Sequence, residues 1–107
     1  MTEVALRAVI KGTGSALPRN RVSNADLAAK VDTTDEWIRS RSGIERRHFA
    51  APEQKTSDLA VRAAEAALAD AGFSADEIDA IIVATSTADL TFPSVATMVQ
   101  GSLGMSK

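Results

Sequence analysis

The stretch from position 56 to position 71 repeats apolar residues with the period of an α-helix. At 100° per residue, its apolar side chains fall in one broad arc, opposite three charged side chains. The arc contains Ala60, Val61, Ala63, Ala64, Ala67, Leu68 and Ala71, and the charged side contains Asp58, Arg62 and Glu65. The pattern predicts a helix from Thr56 or Ser57 to Ala71 that is ended by Gly72. The small alanines of this helix let it lie close to a sheet.

Two other apolar stretches are too short for helices, and both predict strands. Residues 4 to 11, VALRAVIK, are rich in apolar and β-branched side chains and run into the loop sequence GTGSALP. Residues 79 to 86, which begin DAIIVAT, are apolar on both faces. A short stretch of that kind between helices is typical of an interior parallel strand.

Capping and turn residues place the remaining elements. They predict a short helix from Ser23 or Asn24 to about Lys30, a strand or extended turn at 44 to 50, a capping box at 74 to 77, and a last helix from about Pro93 to Leu103, followed by Gly104. The resulting order of strands and helices predicts an α/β layered fold. The acids Asp76, Glu77 and Asp79 fall at a helix start and a strand entry, where they complement the helix dipole and need no further function.

The segment TTDEWIRSRSG, residues 33 to 43, carries the only tryptophan of the chain. Thr33 and Glu36 have the spacing of a capping box, and Gly43 suits the end of the helix that would follow. Trp37 and Arg41 are four residues apart and therefore share one helix face. On the residues alone that face suits a core, a cation-π pair, or a nucleotide whose base stacks on the indole while Arg41 meets a phosphate.

Composition narrows the chemistry that the chain can perform. The 107 residues are 45% hydrophobic and 24% charged, with a net charge of −2, which predicts one soluble domain or part of one. With no cysteine and one histidine, the chain has no disulfide, no thiol nucleophile and no thiolate or multi-histidine metal site. The net negative charge argues against a protein that binds nucleic acid. A local basic cluster suited to a small anion is nevertheless formed by Arg39, Arg41, Arg46 and Arg47.

Two further features have simple structural explanations. Positions 12 to 17, GTGSAL, begin like a dinucleotide-binding loop, but Leu17 stands where the third glycine is needed, so a tight turn explains both glycines better. His48 has no local serine or cysteine partner, which favours a structural histidine over a catalytic base. The N-terminus carries Glu3, Arg7 and Lys11 where a signal peptide needs an unbroken apolar run, so we expect a cytoplasmic protein that does not enter a membrane.

Several segments together resemble the first part of beta-ketoacyl-acyl carrier protein synthase, type III. The resemblance covers nearly the whole chain, and DEWI, SGIERRH and ATST followed four residues later by FPS are specific to that family. It implies a thiolase-like layered fold, of which residues 1–107 would be part of the N-terminal half. It also implies an acyltransferase that joins a coenzyme A thioester primer, usually acetyl-CoA, to malonyl-acyl carrier protein and so starts a fatty acid.

The resemblance also implies which residues carry function. The family's nucleophilic cysteine lies shortly after the position of Gly104, and its histidine and asparagine lie much further on, so no catalytic residue is predicted within this chain and the chain alone is expected to be inactive. The coenzyme A site does match: Trp37 would stack on adenine, and Thr33 and Arg41 would contact adenine and phosphate. Phe92 would reach across a homodimer to wall the partner's acyl pocket.

We therefore expect a segment of a homodimeric condensing enzyme whose substrate is a coenzyme A thioester and which holds no permanent cofactor and no metal. Two alternatives stay open at this point. One is a sister condensing enzyme of secondary metabolism, which shares the fold but uses another primer or acceptor. The other is a noncatalytic fragment that serves as a binding or dimerisation module.

Overall fold

The computed structural model describes residues 3–106, which divide into two compact units. One unit comprises residues 17–55, and the other combines residues 3–16 with residues 56–106. Each unit has its own small core.

The unit of residues 17–55 contains a two-stranded antiparallel ribbon and two short helices. Strand β1 (Asn20–Ser23) leads directly into helix α1 (Asn24–Ala28), and helix α2 (Asp35–Ser42) leads into strand β2 (Arg46–Phe49). In the ribbon Asn20 pairs with Phe49 and Ser23 with Arg46. Val22 of the ribbon and Ile38 of α2 are buried, and α1 contacts both β1 and α2.

The ends of α1 follow from two local side-chain bonds. Ser23 is its N-cap: the Ser23 hydroxyl accepts from the backbone N–H of Asp26, and the Asp26 carboxylate accepts from the backbone N–H of Ser23. This reciprocal pair satisfies two donors that a helix start leaves free. The cap predicted at Ser23 or Asn24 is therefore Ser23, and the helix ends at Ala28, two residues before the predicted Lys30.

The other unit is built on the long helix α3 (Thr56–Ala71), which packs against α4 (Val95–Leu103). All seven residues of the predicted apolar arc are at least partly buried, and Asp58, Arg62 and Glu65 are exposed, which confirms the predicted helix and its orientation. Val95 and Val99 of α4 are buried against this layer. Helix α4 begins two residues later than expected, because the Ser94 hydroxyl accepts from the N–H of Thr97 and so makes Ser94 the N-cap.

The two glycines of GTGSAL lie against α3. A Cβ on Gly12 would stand 2.6 Å from the backbone nitrogen of Ala71 and 2.7 Å from the backbone oxygen of Ala67, and Gly14 approaches the same helix as closely. The adjacent Thr13 N–H donates to the Asp70 carboxylate at 3.0 Å. The structural explanation predicted for these glycines holds, but the cause is close packing on a helix rather than a tight turn.

Neither of the two strands predicted for this unit forms, so both predictions are wrong. Residues 4–11 and 79–86 lie outside any helix or strand, and the only sheet within residues 3–106 is the ribbon of β1 and β2. A strand exists only through ladder bonds to a neighbour, and these segments have no such neighbour in the described residues. Ile82, for example, is 94% exposed.

The predicted capping box at 74 to 77 forms a 3₁₀ turn (Ala75–Glu77), in which the Glu77 carboxylate accepts from the Ser74 N–H at 2.8 Å.

Candidate functional site

Helix α2 holds the tryptophan and the arginine that the sequence singled out. It begins after Thr34, whose hydroxyl accepts from the backbone N–H of Trp37 at 3.1 Å. It ends at Gly43, which has a φ of 72° and accommodates the left-handed turn that helix ends require. The predicted helix and its glycine end are confirmed. The predicted cap at Thr33 is wrong, because the neighbouring Thr34 makes the capping bond.

The indole of Trp37 is a surface group held beside a guanidinium. Trp37 is 56% exposed, so this helix face does not form a core, which was one of the three alternatives for it. The Cζ atom of Arg41 lies 5.1 Å from the centroid of the indole ring, within the range of a cation-π interaction. The pairing predicted from the four-residue spacing therefore forms, and one helix face presents a flat apolar ring together with a positive charge.

Thr33 lies next to this ring although it does not cap the helix. An open groove of about 270 Å³ is lined by Trp37 and by the three residues that lead into α2, namely Asp32, Thr33 and Thr34. Thr33 is partly buried, and its backbone N–H donates to the carbonyl of Val31 at 2.9 Å. The indole of Trp37 thus lies next to both residues: it shares the groove with Thr33, and the Arg41 guanidinium lies over its ring.

The basic cluster that the sequence suggested is divided in the structure. Arg39 lies 3.7 Å from a carboxylate oxygen of Asp35, and Arg46 lies 3.8 Å from one of Glu45. Arg46 and Arg47 are neighbours in β2, so their side chains leave opposite faces of the ribbon. The arginine that contacts the indole is therefore Arg41, whose charge faces the ring.

One residue that supports this site is not evident from the sequence. Asn24 is 1% exposed, and its side-chain amide donates to Asp35 Oδ1 at 2.9 Å and to the carbonyl of Ile44 at 2.7 Å. Asp35 is the first residue of α2, and Ile44 lies just beyond its end. The local sequence suggests only a possible helix cap at Asn24, and nothing nearby reveals partners 11 and 20 residues away.

Phe92 belongs to the other unit, in the loop before α4. Phe92 is 84% exposed, so its ring does not pack within this chain. The loop itself is anchored: the Asp89 carboxylate accepts from the backbone N–H and the hydroxyl of Ser57, and Thr56 donates to the carbonyl of Thr87. Phe92 is thus an exposed aromatic ring on a fixed loop.

Three further possibilities are a catalytic histidine, a metal site and a membrane-spanning helix. His48 is partly buried in β2, where it stands opposite Arg21 in the ribbon. Within residues 3–106 no three acidic or histidine side chains are grouped so that they could hold a metal ion. None of the described helices combines the length and the apolar character that crossing a bilayer requires.

Comparisons with known proteins find several similar synthases, although no family model matches the chain. The chain is 73% identical over 99 residues to beta-ketoacyl-[acyl-carrier-protein] synthase III of Ruegeria pomeroyi, a match that covers 92% of this chain and 31% of the relative. The crystal structure of 3-oxoacyl-[acyl-carrier-protein] synthase III from Aquifex aeolicus superposes with a TM-score of 0.84 at 45% identity, over 91% of this chain and 31% of the other. The priming beta-ketosynthase of the R1128 polyketide pathway gives 0.83 at 35% identity, over 91% and 29%.

These similarities confirm the fold class, part of a thiolase-like layered fold, even though residues 4–11 and 79–86 form no strands within the described part of the chain. The chain spans about a third of the length of the curated relatives it matches. The resemblance predicted from the sequence is therefore confirmed: over nearly its whole length, this chain corresponds to about a third of a beta-ketoacyl-acyl carrier protein synthase III.

Proposed function

We propose that this chain is the N-terminal segment, residues 1–107, of the condensing enzyme that starts fatty acid synthesis. The complete protein would be an acyltransferase that joins an acyl-CoA primer, acetyl-CoA in the first instance, to malonyl-acyl carrier protein with loss of carbon dioxide. The observation that carries the proposal is the surroundings of the Trp37 indole, which shares a groove with Thr33 and lies beneath the Arg41 guanidinium, in a chain so similar to synthases of this type. Without a cysteine, this segment contributes substrate binding and not the acyl-enzyme bond.

The role of the segment in this proposal is to bind the nucleotide end of coenzyme A. A half-exposed indole offers a flat apolar face for an adenine ring. The hydroxyl of Thr33 can donate and accept, as the edge of a base requires. Arg41 supplies a permanent positive charge beside the ring, and a guanidinium binds phosphate through parallel hydrogen bonds.

The charge distribution along α2 supports Arg41 as the phosphate ligand. Arg39 on the same helix already faces the Asp35 carboxylate at 3.7 Å. The guanidinium of Arg41 instead lies over the ring, from which it can turn toward a bound phosphate without breaking an ion pair that the structure shows. Coenzyme A is a substrate in this proposal, which includes no permanent cofactor and no metal.

The exposed ring of Phe92 supports a homodimer in which each subunit closes the other's primer pocket. A contact of this kind across a two-fold axis is isologous, since both subunits present the same surface. Phe92 is 84% exposed, which leaves its ring available to another chain. Acyl-CoA and malonyl-acyl carrier protein are then the partners, in the cytoplasm, with neither nucleic acid nor a membrane involved.

A second candidate is a sister condensing enzyme of secondary metabolism. It is favoured by the superposition on the R1128 priming ketosynthase, whose TM-score of 0.83 almost equals the 0.84 of the Aquifex synthase. The identity of 35% against 45% favours the fatty acid enzyme. Primer and acceptor preferences separate the two, and residues outside this chain contribute to both.

The experiment uses a hybrid synthase, in which this chain replaces the matching segment of the Ruegeria pomeroyi enzyme. Binding of coenzyme A and of 3′-dephospho-coenzyme A is measured by calorimetry for the parent hybrid, for Arg41→Ala, and for Arg39→Ala as the matched control. We expect Arg41→Ala to weaken coenzyme A binding by about 1.5–3 kcal/mol, the range for hydrogen bonds to a charged group, and Arg39→Ala to change it little.

The two ligands then locate the phosphate. If Arg41 meets the 3′-phosphate, Arg41→Ala loses affinity for coenzyme A and little for the dephospho form. If it meets the pyrophosphate, both ligands lose affinity alike. Unchanged coenzyme A binding by Arg41→Ala would contradict the proposed site.

A further inference from the structure

Asn24 ties together the two ends of the helix that carries the proposed coenzyme A ligands. Its amide donates one hydrogen bond to Asp35 Oδ1, at the start of α2, and one to the carbonyl of Ile44, beyond the end of α2. Its own backbone N–H donates to the carbonyl of Glu45 at 3.2 Å. Three bonds from one residue therefore fix where α2 begins and where the chain goes when α2 ends.

Helix α2 has little else to hold it in place. It runs for eight residues, from Asp35 to Ser42, and Ile38 is its one buried residue. A helix of that length is marginal on its own and depends on tertiary contacts. With Trp37 and Arg41 both on the exposed side, the direction in which they point depends on how the whole helix is held.

The chemistry of the site requires an amide at position 24. Asparagine has two N–H donors on one atom, which serve a carboxylate and a backbone carbonyl together, and an aspartate or a leucine of similar shape has none. The bond to the Asp35 carboxylate is charge-assisted and so among the stronger kinds. The buried Oδ1 of Asn24 has no hydrogen-bond partner in the described part of the chain, which costs free energy that a purely apolar core residue would avoid.

We propose that Asn24 is a positioning residue for the coenzyme A site: through Asp35 and Ile44 it sets the orientation of α2 and hence of Trp37 and Arg41. This inference rests on the proposed function, since it concerns the same site. The hydrogen bonds from Asn24 to Asp35 and to Ile44 are called the Asn24 clamp. The inference predicts that loss of this clamp weakens the use of primers that carry the nucleotide and spares primers that lack it.

The test compares two primers in the hybrid synthase, acetyl-CoA and acetyl-pantetheine, which carries the same thioester without the nucleotide. The variants are Asn24→Ser and the pair Asp35→Ala and Asp35→Asn. Both Asp35 variants remove the charge that faces Arg39, but Asp35→Asn keeps an oxygen that can accept from Asn24. Because Asp35 is exposed, this pair reports on the clamp even where Asn24→Ser fails to fold.

We expect Asn24→Ser and Asp35→Ala to raise the KM for acetyl-CoA about tenfold, the factor that corresponds to about 1.4 kcal/mol, and to leave kcat and the values for acetyl-pantetheine unchanged. Asp35→Asn should stay close to the parent. Equal effects on both primers would show a general structural role and overturn the proposal. So would an Asp35→Ala variant that behaves like Asp35→Asn.

Trp37→Ala in the same assay separates this inference from the proposed function. If Trp37→Ala discriminates between the primers and the Asn24 and Asp35 variants do not, the coenzyme A site stands and the positioning role is wrong. If Trp37→Ala itself does not discriminate, the proposed site is wrong, and the positioning role falls with it.

Discussion

Replacing Gly12 by alanine should destabilise the packing of its segment on α3. A Cβ at that position would lie 2.6 Å from the Ala71 nitrogen, 2.7 Å from the Ala67 oxygen and 2.8 Å from the Ala71 Cβ. Carbon atoms in van der Waals contact lie about 3.5–4.0 Å apart, so the new Cβ would stand about 1 Å too close to the Ala71 Cβ. Two of those neighbours are helix backbone atoms, which cannot turn aside as a side chain can.

The expected magnitude follows from this geometry. Overpacking of a filled site costs about 1–3 kcal/mol, and the rigid neighbours place Gly12→Ala toward the upper part of that range. Gly101→Ala is the matched control, because Gly101 lies within α4, a Cβ there would meet nothing within 4 Å, and its backbone is not left-handed. The same substitution there should stabilise the helix by about 0.4–1 kcal/mol.

Hydrogen exchange in the hybrid synthase measures both effects locally. Gly12→Ala should speed the exchange of the amides of α3, and Gly101→Ala should slow that of the amides of α4. An α3 that keeps its protection in Gly12→Ala would refute the close approach as the reason for the glycine.

Two further predictions concern α1 and the loop before α4. Hydrogen bonds from the backbone N–H of Ser23 and then from its hydroxyl lower the pKa of Asp26 below 3.8. The stabilisation from this cap is therefore present above that pH and is lost as the pH falls through the lowered value. Asp26→Asn should flatten the acid limb of a profile of unfolding free energy against pH, and parallel profiles for the two proteins would contradict this. Phe92→Ala in the hybrid synthase should shift primer preference toward longer or branched acyl-CoA, whereas Leu90→Ala, which changes an exposed residue of the same loop, should not; identical kcat/KM profiles across a primer panel would count against the role of Phe92.

The helices of this chain are predictable because their signals are local. The apolar arc of α3 and the glycines after α2, α3 and α4 follow from neighbouring residues, and the structure confirms them. The predicted N-cap of α2 is wrong by one residue, since Thr33 and Thr34 offer the same hydroxyl in sequence and only the backbone geometry decides between them.

The strands are not predictable in the same way, because a strand depends on a partner. Residues 4–11 and 79–86 have strand-like composition but no ladder within the described residues, whereas the polar stretch Asn20–Ser23 forms a strand because Arg46–Phe49 lies beside it. Composition shows which segments suit a sheet and does not show which of them find a neighbour.

The candidate site is predictable in part. The shared face of Trp37 and Arg41 follows from helix geometry, and their contact is confirmed. The assignment of that face to coenzyme A comes from the resemblance to a family and stays a prediction. The support from Asn24 is invisible in the sequence, since it depends on bonds to residues far along the chain.

The most direct test of the coenzyme A site is the affinity of the hybrid synthase for coenzyme A after substitution of Trp37. Stacking of a base on an aromatic side chain contributes about 1–3 kcal/mol, so Trp37→Ala should raise the Kd for coenzyme A about 5- to 150-fold. Trp37→Phe, which keeps a ring, should recover most of that loss, and the Kd for pantetheine should be unchanged in both variants. A Trp37→Ala variant that binds coenzyme A as tightly as the parent hybrid would show that adenine does not stack on this ring.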